Sequence, residues 1–350
     1  MNPMYFIFLS SGLFLGWSLG ANDVSNIFGA AVGSKMLKFK TAALIASVFI
    51  ILGAVFGGSG TTATLSSLGE VNAIAGSFMV ALSAALSVYF MAKTGLTTST
   101  SQAIVGAIIG WNLYAQKATN MSVLLKIVSG WAVCPFLSGL IAVFLYFSLK
   151  RILNKAHIHM LMQHQLLRIG LVLAGAFCTY ALGANNIANV MGVFVQTAPF
   201  DAVSIAGLVF SPMQILFFLG AVAISVGVFT YSQKVMATIG KNVMKMSPFA
   251  ALIVVLSQAL VLFVFSSSAL RNGLHAVGLP AFPLVPVSST QAVIGAILGL
   301  GLLKGGRTIN WSITARIVAG WFTTPLMSML ICFVSLFFLQ NVFNLTVFLP

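Results

Sequence analysis

Two stretches concentrate the ion-binding side chains of an otherwise apolar chain. They are Gly20-Ala21-Asn22-Asp23-Val24-Ser25-Asn26 and Gly183-Ala184-Asn185-Asn186-Ile187-Ala188-Asn189. Each places three side-chain amides or carboxylates within five positions of a long apolar run. Such groups are costly inside a bilayer, so their repetition points to a substrate and ion site. Asn22, Asp23, Asn26 and Asn186 are the candidate ligands of a coupling ion. Their oxygens suit a hard cation such as Na⁺, with Asp23 as its anionic ligand. Ser99-Thr100-Ser101-Gln102 and Ser288-Ser289-Thr290-Gln291 each open another apolar run with hydroxyls and an amide. Helix starts present free N–H groups, and with Asn22, Asn26, Asn185 and Asn189 these runs offer neutral donors to a tetrahedral oxyanion. An anion and a cation held side by side lower each other's desolvation cost, which is the physical basis of symport.

The elements that position these residues follow from composition. Of 350 residues, 59% are hydrophobic and 6% charged, and the mean hydropathy is +1.07. So little charge cannot cover a soluble domain of this length, which makes the chain an integral membrane protein in contact with lipid. The net charge of +14 is spread over short loops without aromatic platforms, so it is read as membrane topology and not as nucleic-acid binding. Asp23, Glu70 and Asp201 are the three carboxylates. Glu70 and Asp201 fall in expected outer loops. Cys134, Cys178 and Cys332 lie far apart in apolar runs, as buried small residues and not as a disulfide set or metal site. The N-terminus lacks a basic leader region, and its first apolar run carries the motif, which argues against a cleaved signal.

The chain repeats itself. The first motif recurs 163 residues on. Ser99 to Gly110 recurs as Ser288 to Gly299, and Lys126-Ile127-Val128-Ser129-Gly130-Trp131 with Pro135 recurs as Arg316-Ile317-Val318-Ala319-Gly320-Trp321 with Pro325. The expected units are a first repeat over 1–155, a connector over 156–165 within the polar stretch Lys150 to Arg168, and a second repeat over 166–350. Apolar segments run over about 4–33, 41–57, 71–92, 98–115 and 122–149, then 166–195, 202–231, 249–270, 286–303 and 311–339. With Met1 outside, 14 basic residues fall inside and 3 outside, a strong positive-inside bias. Five crossings per half invert the second half, the architecture of many secondary transporters, and leave both termini outside. Segment 1 reads as a broken helix or as one continuing past the far interface. Segment 4 of each half reads as a full crossing or as the arm of a re-entrant hairpin. The expected fold is all-α and polytopic, with broken helices or hairpins meeting at mid-membrane.

The block Gly20 to Ile27, followed by the hydroxyl run and Ala103-Ile104-Val105-Gly106-Ala107-Ile108-Ile109-Gly110, resembles the inorganic phosphate transporter family of Na⁺- or H⁺-coupled permeases. Bacterial sulfate permeases belong to the same family. The resemblance covers essentially the whole chain, since each half carries its own copies. It implies inverted repeats, a mid-membrane oxyanion site and often a homodimer. It places Asn22, Asp23, Asn26, Asn185 and Asn189 at the binding centre, with Ser99 to Ser101 and Ser288 to Thr290. This chain departs from the pattern in three ways. Asn186 stands where an aspartate is usual, Gln102 and Gln291 where a histidine closes the hydroxyl run, and Thr97-Thr98 where a proline is common. One carboxylate in place of two leaves H⁺ coupling through Asp23 open beside Na⁺.

The expected function is therefore secondary uptake of inorganic phosphate across the cytoplasmic membrane, driven by Na⁺ or H⁺ and without a cofactor. A carboxylate facing the anion accepts a hydrogen bond from protonated phosphate and repels sulfate, whereas Asn186 weakens that preference. Sulfate permeation is the alternative, and a passive anion channel the next. Enzymatic chemistry is not expected. Gly16-Trp17-Ser18-Leu19-Gly20 matches a nucleophile elbow but lacks a strand context and His/Asp partners. Gly12, Gly16 and Gly20 read as a close-packing stripe. His157, His159 and His164 read as a solvated loop, and Lys93 as an interface anchor.

Overall fold

The computed structural model of the protein describes residues 4–93, 98–156, 159–197, 200–205, 207–233, 236, 246–307 and 309–349. Thr97, His157, Lys234, Lys241 and Lys245 lie outside the described residues. The first half holds α1 (Met4–Gly33), α2 (Phe39–Gly57), α3 (Ser59–Ser66), α4 (Ile74–Lys93), α5 (Thr100–Tyr114) and α6 (Met121–Ala156). The second holds α7 (Met160–Met191), α8 (Pro212–Thr230), α9 (Pro248–Ser266), α10 (Ser268–Ala276), α11 (Ser289–Leu303) and α12 (Trp311–Asn341). Among the described residues, seven helices are long and apolar enough to cross a bilayer: α2, α4, α6, α7, α8, α9 and α12. The fourth segments differ. At 15 residues each, α5 and α11 rise about 22 Å, short of a core of ~30 Å.

Three differences from the sequence reading have physical reasons. First, α1 and α7 run unbroken through both motifs. Neither motif contains proline, and the motif side chains partly bond to their own helix, so nothing forces a break. Asn22 and Asp23 therefore sit in mid-helix and not at a helix start. Second, the segment expected over 202–231 begins as an antiparallel hairpin, β1 (Val203–Ile205) with β2 (Leu208–Phe210). Gly207 turns it with φ of 81°, a conformation that glycine adopts without steric cost. Ser211 and Gln214 then form a capping box, with a proline in the first turn, to start α8. Third, the polar connector is largely helical. Its His159 caps α7 by accepting from the Leu161 N–H, and His164 lies within α7.

Packing follows an exchange pattern. Helix α1 lies on α8 as α7 lies on α2, and α5 lies on α12 as α11 lies on α6. Likewise α4 packs on α1, α5 and α12, while α9 packs on α7, α11 and α6. The closest approaches recur in the same way. A Cβ on Gly20 would lie 1.9 Å from the Ile224 carbonyl oxygen, and one on Gly183 would lie 2.3 Å from that of Ile50. One on Gly106 would meet the Pro325 carbonyl at 2.1 Å, and one on Gly295 the Pro135 carbonyl at 2.1 Å. Glycine at these positions lets backbones touch, as membrane helices require in the absence of a hydrophobic drive between them. Gly12, Gly16 and Gly20 are packing positions, as expected. The large apolar side chains of α6 and α12, Phe136, Phe144 and Phe322 among them, point outward.

Candidate functional site

The hydroxyl runs start the two short helices. Ser99 caps α5 by accepting from the Gln102 N–H at 3.3 Å, and Ser288 caps α11 by accepting from the Gln291 N–H at 3.2 Å. Both runs spell the Ser-x-x-Gln of a capping box, in which the glutamine normally reaches back to the cap N–H. At α8 that happens, since Gln214 Oε1 accepts from the Ser211 N–H at 2.9 Å. At α5 and α11 it does not. Gln102 Oε1 and Gln291 Oε1 are buried without a partner among the described residues. Two amides that could have finished a cap are instead left for something else.

Each motif meets the hydroxyl run of the opposite half. Asp23 on α1 is 3% exposed, and its Oδ2 accepts a 2.5 Å hydrogen bond from Ser289 at the start of α11. On α7, Asn189 Nδ2 donates to Asn186 Oδ1 at 2.9 Å and to Ser101 Oγ at 2.8 Å. Ser101 in turn donates to the Val287 carbonyl at 3.1 Å, and its counterpart Thr290 donates to the Thr98 carbonyl at 2.9 Å. Three more buried atoms find no partner among the described residues: Asn186 Nδ2, Asn185 Oδ1 and Asn189 Oδ1. Native interiors leave few such groups unsatisfied, because each costs about 1–3 kcal/mol. The orphaned atoms belong to the second motif and the two hydroxyl runs, and between them they comprise both a donor and acceptors.

The approach to α11 is an extended segment, 279–288, buried from Leu284 onward. Non-helical backbone inside a membrane protein needs partners from the protein itself. Five consecutive carbonyls find them in side chains. Leu284 accepts from Thr64, Val285 from Asn185 at 3.4 Å and Pro286 from the Trp131 indole at 3.3 Å. Val287 accepts from Ser101, and Ser288 from Cys134 at 3.6 Å. Thr64 had no role in the sequence reading, and Cys134 figured there only as a buried small residue. Trp131 figured only as part of a repeated block, since nothing in its spacing says which carbonyl an indole will reach.

Not every expected residue joins the cluster. Asn22 is half-buried and donates to the Ser18 carbonyl of its own helix at 2.9 Å, while its own carbonyl accepts from Ser25. Asn26 is half-buried on the same helix, one turn on. Thr100 is buried. Lys93 stands exposed at the end of α4, its ammonium 4.7 Å from the Tyr89 ring centroid. Glu70 and Asp201 are exposed. The three cysteines are buried and free. Among the described residues no cluster of His, Cys, Asp or Glu is suited to a bound metal. Asp23 and its neighbours fit a hard monovalent cation by donor type, through a carboxylate, amide oxygens and a hydroxyl.

A multi-pass helical protein whose two short capped helices meet two polar motifs in its interior has the architecture of a membrane transporter. The chain belongs to the phosphate transporter family, which it matches over residues 19–332. It is 27% identical over 321 residues to a protein of Methanocaldococcus jannaschii named "Putative phosphate permease", covering 92% of this chain and 93% of that one. A protein of the same description from Pyrococcus abyssi is 25% identical over 399 residues, covering 93% of this chain and 95% of that one. The fold is similar to a solved structure described as "The sodium-dependent phosphate transporter", with a TM-score of 0.73 and 23% identity over 95% of this chain and 99% of that one.

Proposed function

We propose that this protein is a secondary active transporter that imports inorganic phosphate across the cytoplasmic membrane in symport with a cation. The observation that carries the reading is the Asp23 carboxylate, buried in the protein interior and bonded to Ser289 from the other half. A buried carboxylate with one neutral donor is incompletely compensated, and a bound Na⁺ or a proton completes it. Asn186 Nδ2 then donates to the anion, together with the hydroxyls of Ser99 to Ser101 and Ser288 to Thr290, while the amide oxygens of Asn185, Asn189, Gln102 and Gln291 accept from the protons that phosphate carries or face the cation. Na⁺ is the first choice of coupling ion, in keeping with the sodium dependence in the description of the similar structure. The exchange pattern of helix contacts, with the charge bias of the loops, supports two inverted repeats, 1–155 and 166–350, with both termini outside. Rocking one set of helices against the other would open the site to each side in turn.

Sulfate is the second reading, favoured by a specific feature. Asn186 offers an amide N–H where α1 has a carboxylate, and sulfate accepts hydrogen bonds without donating any. One experiment separates the two: uptake of radiolabelled phosphate into proteoliposomes under an inward Na⁺ gradient, with excess unlabelled sulfate as competitor. Uptake that overshoots equilibrium and ignores sulfate is the expected result. Suppression by sulfate selects the sulfate permease, and uptake that never runs uphill selects a passive channel.

A further inference from the structure

Gln258 lies in the middle of α9 and is fully buried, and neither its Nε2 nor its Oε1 has a partner among the described residues. It is the eleventh of the 19 residues of α9. That places it about 15 Å along the helix axis, near half the ~30 Å depth of the apolar core. Its direction follows from helical spacing. Val254, one turn before it, belongs to the apolar cluster that includes Val293, Ile294 and Ile297 of α11. Val255 and Leu262 belong to the cluster that includes Val24, Ile27 and Phe28 of α1 and Cys178 and Leu182 of α7. Gln258 is on the buried side of α9, which packs chiefly on α7, α6 and α11 and also touches α1. Of these neighbours, α1 carries Asp23 and α11 starts with Ser289.

The other half shows that the fold does not need this amide. Val80-Ala81-Leu82-Ser83-Ala84-Ala85-Leu86 of α4 matches Val254-Val255-Leu256-Ser257-Gln258-Ala259-Leu260 of α9, and Ala84 stands where α9 has Gln258. Ala84 is fully buried in an apolar setting. A group that lowers stability, and that the equivalent position does without, is retained for a ligand. The orphaned atoms of the second motif and the hydroxyl runs are mostly acceptors, whereas an oxyanion needs donors. Gln258 Nε2 and Asn186 Nδ2 are two orphaned amide donors of the interior. We infer that Gln258 is a further ligand of the transported oxyanion, donating from α9 at mid-membrane. The inference rests on the reading of the protein as an oxyanion transporter.

The test compares wild type with Gln258→Leu and Gln258→Ala in proteoliposomes, using radiolabelled phosphate and, separately, sulfate, with thermal unfolding of each purified protein. Removing one hydrogen bond to a charged ligand should raise the KM for the transported anion about tenfold or more. The half-saturating cation concentration should stay unchanged, and the unfolding temperature should hold or rise. An unchanged KM in either folded variant overturns the inference. A lower unfolding temperature in both variants also overturns it, because the amide is then structural. Wild-type protein that takes up neither anion instead overturns the transporter reading on which this one rests.

Discussion

Ser289 donates to Asp23 Oδ2 across 266 positions of sequence, so the carboxylate of the first half is held by the hydroxyl run of the second. Two consequences follow. The proposed cation ligand and the start of α11 are mechanically linked, and loss of either partner changes how the interior compensates the carboxylate. Asp23→Asn keeps the shape of the side chain and removes its charge. It should abolish concentrative phosphate uptake while the protein still inserts and stays monodisperse in detergent. Ser289→Ala should retain uptake and reach half-maximal rate at a lower cation concentration, since the carboxylate loses a charge-assisted bond of about 1.5–3 kcal/mol and depends more on the cation. Initial rates across a cation series read both effects. Wild-type coupled uptake by Asp23→Asn would remove Asp23 from the coupling role.

Gly106 and Gly295 occupy equivalent positions at the crossings of α5 with α12 and of α11 with α6. Each would press a Cβ to within 2.1 Å of a proline carbonyl. Alanine at either site must push two helices apart, a strain of about 1–3 kcal/mol in a packed interior. Gly106→Ala and Gly295→Ala should therefore lower the unfolding temperature by similar amounts. Gly33→Ala, where nothing lies within 4 Å of the new methyl, should not. Unequal effects of the first two would contradict the exchange pattern of the contacts.

The sequence made the repeat, the five segments of each half and the capped starts of α5 and α11 legible, because motif order, apolar length and Ser-x-x-Gln spacing are local properties. Asp23 was conspicuous too, since a membrane chain with three carboxylates makes every acid stand out, whereas Asn22 and Asn26, equally prominent in the motif, stay half-buried outside the cluster. What was not legible is the pairing. That Asp23 meets Ser289, and that Asn189 meets Ser101, depends on which helices pack together, and a repeat alone does not say whether a motif meets its own half or the other. The unbroken course of α1 was hidden for a different reason. A run of polar side chains is compatible with a break, but Asn22 bonds to the Ser18 carbonyl one turn back and so keeps the helix intact. Gln258 escaped notice because a single amide in an apolar run carries no pattern.

The extended stretch before α11 is fixed by side chains that reach it from four other helices: Thr64 of α3, Ser101 of α5, Trp131 and Cys134 of α6, and Asn185 of α7. Trp131→Phe keeps most of the apolar volume but leaves the Pro286 carbonyl buried without its donor. An unfulfilled buried acceptor costs about 1–3 kcal/mol. The variant should unfold at lower temperature than wild type. Its Vmax should also fall, since the same stretch carries Val287, on which Ser101 depends. A thermal melt together with initial uptake rates measures both, and a variant with unchanged melt and rate would show that the indole does not hold the stretch in place.

Asn186 stands on α7 where α1 has Asp23, and its amide is already engaged by Asn189, whose Nδ2 donates to Asn186 Oδ1 at 2.9 Å. The neutral amide of Asn189 thus takes the oxygen that Asn186 would otherwise offer a cation in the second half. Asn186→Asp gives that half a carboxylate next to Ser101 and Asn189. It should make phosphate uptake depend more steeply on cation concentration, because two anionic ligands then recruit cations. The double variant Asp23→Asn with Asn186→Asp moves the single carboxylate from one half to the other. If the two halves offer equivalent surroundings, as their contacts indicate, the double variant should recover part of the uptake lost in Asp23→Asn alone. Initial rates over a Na⁺ series, repeated over a pH series at fixed Na⁺, would assign the recovered dependence to one ion. No recovery in a well-folded double variant would mean that Ser289 and α11 give Asp23 an environment that Ser101 and α5 do not reproduce.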